Sequence, residues 1–566
     1  MIPKPVSATP GDGVFTLNGT TAITATDAAA RAARRLQADL RAATGFGLFV
    51  DGGGGEAAVS ASGARHVGLD AHRPAAGARR AMGAIELAVD ERMPREAYRL
   101  EVGPAGVRLT GGDTAGLFYG GQAFRQLLGP DAFRAAPLPG REWTAAASVI
   151  EDAPRFGWRG FMLDVARNFR PKHEVLRLID LLALHRVNVL QLHLTDDQGW
   201  RMEIRRHPRL TEVGAWRPES QLGHGPASTL DGRPHGGFYT QDDLREIVAY
   251  AAERMITVVP EIETPGHVRA ALAAYPELGV SGESVEVWTR YGITDHVLNV
   301  EESTVAFFRE VLDEVMDVFP STYIGVGGDE ARKTQWAADA RTQQLMRERG
   351  IANELELQAW FIRQLDDHLT AAGRRLYGWD EVLEGPLAPG ATIASWRGLR
   401  GAQVAVARGH DVVLCPDDFA YLDYRQSDAA EEPIPVGTVL SLRDVYDFEP
   451  LPDHADDADD AMRRHLLGVQ ANAWTEHLDT GSRLDYAVFP RLAAFAEVAW
   501  SAPGKDWGDF AARLSDQLAI YDAIGVGYRP LAGPHPWQQR PGVPGAPRER
   551  ADREAELAAL TADLLE

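Results

Sequence analysis

The sequence is short of the residues that support covalent and metal chemistry. Its 566 residues hold one cysteine, Cys415, so no intramolecular disulfide and no cysteine-ligated zinc or iron–sulfur site can form. Lysine is nearly as scarce: Lys4, Lys172, Lys333 and Lys505 are the whole set. None of them ends a strand-like run, which excludes a Schiff-base aldolase of the usual barrel type. Positive charge is in deficit, with 58 Lys and Arg against 81 Asp and Glu for a formal net charge of −23. That balance repels the phosphates of nucleic acids and of anionic membranes, so neither is expected as a partner. No stretch approaches the roughly 18 apolar residues of a membrane span. The opening MIPKPVSATPGDGVF has no basic lead-in and no apolar run of signal-peptide length, so a cytoplasmic location is expected.

What is present is an ordinary globular mix, 45% apolar and 25% charged, and it excludes disorder over the whole chain. At roughly 150 residues per domain the length suits about three or four domains, or fewer if one is a large barrel. Residues 1–150 alternate short strand-like runs with Gly- and Ala-rich connections. GAIELAV (83–89) and YRLEVGPAGVRLTG (98–111) have period-two patterning, the second broken at Pro104–Gly106 as in a hairpin. TAGLFYGGQAFRQLL (114–128) has apolar residues at helical spacing. A small α+β domain is expected there.

From residue 156 short apolar runs recur, most separated by amphipathic segments of helix length. Eight strands are expected: Trp158–Val165, Val187–Leu194, Ile256–Glu261, Tyr323–Val326, Arg375–Trp379, Ile393–Trp396, Val412–Cys415 and Gly468–Ala473. Helices are expected near 172–185, 241–254, 302–318, 353–372, 400–408 and 486–499. Strand–helix alternation argues for parallel βαβ units, and eight of them for a (β/α)8 TIM barrel over 151–530. An open doubly wound sheet is the competitor, but it wants a Gly-rich phosphate loop after the first strand, and LDVARNFRP has none. The stretch 425–462, with EEPIP and DHADDADDA, reads as a solvated insertion, and 531–566 as a linker with a short C-terminal helix and no chemistry.

In such a barrel the active site lies at the C-terminal ends of the strands. Those ends read Arg167; His193, Asp196 and Asp197; Glu261, Glu263 and His267; Asp329 and Glu330; Trp379 and Asp380; Trp396; Tyr421 and Asp423; Trp474 and Glu476. Each residue alone has a structural reading as core or helix cap, but their gathering at one pole does not. Carboxylates with aromatic platforms suit a sugar: the acids supply proton transfer and hydroxyl recognition, and indole faces cover the apolar face of a pyranose. A metal-dependent hydrolase wants several converging histidines, and no His-x-His ends the first strand, so neither a metal nor another cofactor is expected. Gly327-Gly328-Asp329-Glu330 presents two consecutive carboxylates after a tight turn. Neighbours in sequence are poorly placed to straddle a glycosidic bond, which points to a substrate-assisted route.

The chain resembles glycoside hydrolase family 20, the β-N-acetylhexosaminidases, over about residues 90–530. The resemblance rests on RGFMLDVARNF (159–169), NVLQLHLTDDQGWR (188–201), PEIETPGH (260–267), YIGVGGDEA (323–331), YGWDEV (377–382), SWRG (395–398), YLDY (421–424) and NAWTEH (472–477), in that order. It implies an exo-acting, retaining enzyme that removes terminal β-linked GlcNAc or GalNAc from a carbohydrate through an oxazolinium intermediate. By the same resemblance Glu330 is the general acid/base, and Asp329 orients the 2-acetamido group and stabilises its charge. Tyr421 holds the acetamido oxygen. Trp379, Trp396 and Trp474 wall the acetamido group and ring. Arg167, Asp423 and Glu476 bind hydroxyls, and Asp196 with His267 supports Glu330 as its protonation changes. Two positions depart from the family pattern, Gly325 and Asn168, where relatives usually carry histidine. Glu263 stands where relatives often carry another residue and has no assigned role. The alternatives are a non-catalytic amino-sugar-binding barrel and a metal-dependent amidohydrolase acting on the N-acetyl group.

Overall fold

A computed structural model describes residues 1–51, 83–387, 389–451 and 457–565. The chain divides into two compact units: Met1, Pro3–Pro154 and Ala512–Gly525 form one, and Ile2, Arg155–Ala511 and Val526–Glu566 the other. The first is an α+β unit. Its seven-stranded sheet runs in the order Ser7–Leu17, Trp143–Asp152, Tyr98–Gly103, Gly106–Gly111, Ala84–Val89, Ile23–Ala25, Val50–Asp51. Tyr98–Gly103 and Gly106–Gly111 form the expected hairpin, closed at Gly103 opposite Gly106. Along Trp143–Asp152 the residues Trp143, Ala145 and Ala147 are buried while Thr144 and Ala146 are exposed, the alternation of a half-buried strand. Helices Ala30–Thr44 and Thr114–Leu127 belong to this unit. The second is capped by Asp113, whose side chain accepts from the Gly116 amide at 2.9 Å.

The second unit is a closed barrel of eight parallel strands: β1 (Trp158–Asp164), β2 (Val189–His193), β3 (Thr257–Thr264), β4 (Tyr323–Gly327), β5 (Arg375–Trp379), β6 (Thr392–Ser395), β7 (Asp411–Leu414) and β8 (Leu466–Ala473). β8 pairs in parallel with β1 from Gly468 opposite Trp158 to Ala473 opposite Leu163. That closure excludes the open sheet. The strands read as continuous apolar runs because both faces are covered. All seven residues of β1 are buried.

The connecting helices are α1 (Lys172–Leu184), α2 (Gln241–Ala252), α3 (Glu302–Val318), α4 (Glu354–Ala371), α5 (Arg400–Ala407), α6 (Gly481–Val488) and α7 (Arg491–Trp500), followed by a C-terminal helix α8 (Arg550–Leu560). α3 buries Val305, Phe308, Val311, Leu312 and Val315, one stripe at helical spacing. α2 starts on a reciprocal cap between Thr240 and Asp243. The segment expected as one helix over 486–499 is two, α6 and α7, because Pro490 brings no amide hydrogen to continue the first. No described helix is long and apolar enough to cross a membrane.

The interior is layered. Trp158 stacks on Tyr377 at 5.4 Å near the entry ends of the strands. Above it Gln470 donates to Gln191 (2.7 Å), which donates to Glu261 (2.8 Å). The carboxylates lie above these glutamines. The expected solvated insertion is partly built into the barrel unit. Leu440, Val445, Tyr446 and Phe448 are buried, helix Leu442–Asp447 is capped by Ser441, and Val436–Gly437 pairs with Ala546–Pro547. The acidic run masked this sparse apolar spacing. Residues 452–456 of that run lie outside the described residues.

Candidate active site

Each candidate side chain is placed by the end of a strand. Asp164, at the end of β1, accepts from the amides of Ala166 (2.8 Å), Arg167 (3.0 Å) and Thr475 (3.0 Å). This clasp ties the loop after β1 to the loop after β8 and aims Arg167 inward. Asn168 strengthens the same tie, its amide nitrogen donating to the Thr475 carbonyl at 2.6 Å. Arg167 then reaches Asp196 at 2.8 Å and lies 4.7 Å over the Trp474 ring.

His193 sits between two acids, with Nδ1 2.7 Å from Glu261 and Nε2 2.8 Å from Asp196. Burial pulls its pKa down, but Glu261 and Asp196 outweigh burial and raise it to about 10. His267 repeats the arrangement one layer higher. Its Nδ1 lies 3.2 Å from Asp197 and 3.3 Å from Asp196. Its Nε2 lies 3.3 Å from Glu330 and 3.5 Å from Asp329. Burial opposes its charge, and the carboxylates around it, Asp196 first, hold its pKa well above the ordinary value.

The turn after β4 brings the two acids to that histidine. Gly327 and Gly328 have φ of 71° and 97°, a region that favours glycine. A Cβ on Gly327 would lie 1.8 Å from Glu263 Oε2, and one on Gly328 2.4 Å from Val382. Gly325 has a related cause: a Cβ there would lie 2.8 Å from the Cβ of Glu261, the residue that holds His193. Asp329 is buried, and Glu330 keeps 34% of its side chain open to the pocket. Burial raises Asp329 to about 6, more than the His267 charge lowers it. Glu330 moves the other way: burial pushes it up, but its hydrogen bond to His267 and the charge there bring it below the usual value.

Aromatic walls complete the pocket. The Trp379 and Trp474 rings are 5.8 Å apart, Tyr421 and Trp474 6.3 Å, and Trp396 and Tyr421 6.3 Å. Trp396 donates to Glu381 at 3.0 Å. A bridge between Tyr421 and Asn472 stitches the loop after β7 to β8. The Trp474 amide donates to Asp423 at 3.2 Å. Asp423 and Glu476 are both raised, each chiefly by burial. Together these groups line a cavity of about 330 Å³ with Arg167, Asp329, Glu330, Trp379, Trp396, Tyr421, Asp423, Trp474 and Glu476 on its walls. Asp196 and His267 stand behind it. Asp329 Oδ1 and Trp379 Nε1 are buried with no partner among the described residues, one acceptor and one donor left for a ligand.

Among the described residues three groups could offer ligand atoms to a cation: His193 with Glu261 and Glu263, Asp196 with Asp197 and His267, and His267 with Asp329 and Glu330. Each includes a histidine whose pKa the surrounding carboxylates raise, and a metal needs the neutral ring. The donor set therefore fits proton storage better than metal binding.

Sequence reasoning passed over several lining groups. Tyr291, Ile293 and His224 come from loops, and Ala546, Arg548, Arg553 and Glu556 from the C-terminal segment. No periodicity marks them. His477 lies in the NAWTEH motif, so position alone could have found it.

Comparison with known proteins gives the family of the chain. Residues 156–503 match the model of the glycosyl hydrolase family 20 catalytic domain, and residues 1–153 that of the family's domain 2. A β-hexosaminidase of Porphyromonas gingivalis is 42% identical over 79% of the chain, which spans only 56% of that longer protein. A β-N-acetylhexosaminidase of Cellulomonas fimi is 34% identical over 82% of this chain and 86% of its own. The structure of a family 20 exo-β-N-acetylglucosaminidase from Vibrio harveyi, in complex with N-acetylglucosamine, aligns with a TM-score of 0.79 at 33% identity, covering 94% of this chain and 78% of that one. With a catalytic-domain match over most of the barrel unit and relatives at this identity, the chain belongs to glycosyl hydrolase family 20.

Proposed function

We propose that the chain is an exo-acting, retaining β-N-acetylhexosaminidase that removes terminal, non-reducing β-linked GlcNAc or GalNAc. The observation that carries this reading is the presentation of Asp329 and Glu330 side by side against His267, at an aromatic-walled pocket of about 330 Å³. That volume is at the low end for ligand pockets, which suits one sugar ring rather than a chain running through. The names of the relatives, and the N-acetylglucosamine in the Vibrio harveyi structure, support the same substrate class.

Both acids face one histidine from the same side, so neither is set to attack from the opposite face of the ring. In the proposed mechanism the acetamido oxygen of the substrate attacks its own anomeric carbon. Positioning of this kind replaces a bimolecular step and is worth up to roughly 7–11 kcal/mol. Tyr421 holds the acetamido oxygen, Asp329 accepts from its N–H and stabilises the cationic oxazolinium, and the tryptophans exclude water. Glu330 gives a proton to the leaving oxygen, then takes one from the water that opens the ring with retention. Arg167, Asp423 and Glu476 hold the hydroxyls.

The test is turnover of aryl N-acetyl-β-glucosaminide and N-acetyl-β-galactosaminide beside the aryl β-glucoside, with the first-formed anomer read by NMR. Release of β-configured amino sugar, with the glucoside nearly inert, is expected. Binding without turnover would make the chain a sugar-binding barrel, and acetate as product would make it an amidohydrolase. A sugar ester trapped on Asp329 or Glu330 would refute the substrate-assisted route.

A further inference from the structure

The matched catalytic domain ends at residue 503, yet residues 526–566 belong to the same compact unit as the barrel. Their path is fixed by the backbone. The Pro544 carbonyl accepts from the His224 amide at 2.9 Å. Ala546–Pro547 then pairs in parallel with Val436–Gly437. Helix α8 follows, held by buried Leu557 and Thr561, and its last carbonyl, of Leu560, accepts from Arg397 at 3.3 Å. Ala546, Arg548, Arg553 and Glu556 thereby line the cavity that holds Asp329 and Glu330.

Arg553 is the member with the most specific placement. Its side chain is 9% exposed. Nε lies 2.7 Å from Asp417 Oδ2, Nη1 lies 2.7 Å from Glu556, and the guanidinium is 5.6 Å over the Trp396 ring. Asp417 is fully buried and also accepts from the Tyr424 hydroxyl at 3.0 Å. The Tyr424 ring meets Tyr421 edge-on at 5.7 Å. The Asp417 amide donates to the Trp396 carbonyl at 3.1 Å. One side chain thus backs both Trp396 and, through Asp417 and Tyr424, Tyr421.

We propose that Arg553 is a positioning residue for the acetamido half of the pocket, which makes helix α8 a working part of the site. This rests on the reading of Trp396 and Tyr421 as the groups that enclose the acetamido group. A planar fork reaching two carboxylates while covering an indole face is a task for arginine and not for lysine. Without it, the buried Asp417 carboxyl keeps, among the described residues, Tyr424 as its one side-chain hydrogen-bond partner, and the two aromatic walls lose their common backing.

The experiment compares the wild-type chain, Arg553→Met, Arg553→Lys and the double variant Arg553→Met/Asp417→Asn. The double variant removes the stranded carboxyl and keeps the comparison open if the single one fails to fold. Two ligands are titrated: a thiazoline-fused sugar that carries the acetamido mimic, and a ring analogue with a plain 2-hydroxyl. Loss of the arginine is expected to weaken the thiazoline about tenfold, the order of one desolvated cation–π contact, with kcat for the N-acetyl substrate falling alongside. The 2-hydroxyl analogue should be unaffected, the lysine variant should recover little, and the double variant should melt like the wild type yet keep the selective defect. Equal weakening of both ligands, or no weakening of either, would overturn the proposal while leaving the hydrolase reading intact. A wild-type chain that neither binds the thiazoline nor turns over any N-acetylhexosaminide would overturn both.

Discussion

Replacing Asp329 by asparagine is expected to stabilise the protein while disabling it. Burial lifts the Asp329 carboxyl from an ordinary 3.8 to about 6, net of the opposing pull of His267. At about 1.36 kcal/mol per unit, a shift of roughly two units corresponds to roughly 3 kcal/mol. The sign follows from proton linkage. Below pH 3.8 the group is protonated in both folded and unfolded chains and costs nothing. As pH rises toward 6 the unfolded chain releases the proton first, so the native state loses stability across that window and bears the full cost above it. Asparagine does not ionise. The variant should therefore match the wild type near pH 4 and exceed it by up to about 3 kcal/mol at pH 7, as read from urea unfolding at a series of pH values. Turnover should fall at every pH, and the wild-type acidic limb near pH 6 should vanish, because a neutral amide cannot stabilise an oxazolinium. A stability difference of the same size at pH 4 and pH 7, or an Asn variant weaker than the wild type at neutral pH, would refute the reasoning.

Glu330→Gln is expected to cost about 10²–10⁴-fold on a substrate with a poor leaving group, and much less on an aryl glycoside that leaves unprotonated. Equal losses on both would show that Glu330 is not the proton donor. Glu263 is fully enclosed, and its carboxyl is raised first by burial and then by Asp329 and Glu261. The unfolded chain sheds this proton at lower pH than the native state, so Glu263→Gln should gain stability on the wild type as pH rises from 5 to 8, and a gap that stays flat would show that the carboxyl is not raised. Activity should survive prolonged chelation and dialysis, since the carboxylates raise the histidines of the candidate cation groups and a metal would have to displace their protons. Loss on chelation with recovery on adding a divalent ion would show the opposite.

The barrel was legible because its strands are buried on both faces and stand out as short apolar runs, and because a parallel barrel puts its chemistry at one end of them. Arg167, Asp329 and Trp474 follow from that rule alone. What stayed hidden has no periodic signature. Arg553 reaches Asp417 across 136 residues, and nothing in the local sequence of α8 distinguishes it from a solvated helix. Glu263, at a position where relatives often carry another residue, has a steric part that no motif marks: it fills the space over Gly327 that any side chain there would need. Gly325 departs from the family pattern because its bare backbone lies against Glu261, where a Cβ would lie 2.8 Å from the Glu261 Cβ.

The proton inventory joins these pieces. Glu330 is held below its usual value by the same His267 that is held above its own, so in the empty pocket their common proton rests on the histidine. Acid catalysis by Glu330 requires that proton to move across the 3.3 Å between them. On the proposed mechanism the substrate supplies the drive. Covering Glu330 with a sugar strips its remaining solvent and disfavours the carboxylate. The cation that grows beside Asp329 then opposes the charge on His267, 3.5 Å from the same carboxylate. Both effects push the proton toward Glu330 and the leaving oxygen as the bond breaks, and Asp196, which holds His267 from behind, sets how far the histidine must be driven. Asp196→Asn should then lower the basic limb of kcat/KM, because the histidine releases its proton more readily. A basic limb that stays in place would separate His267 from the acid step.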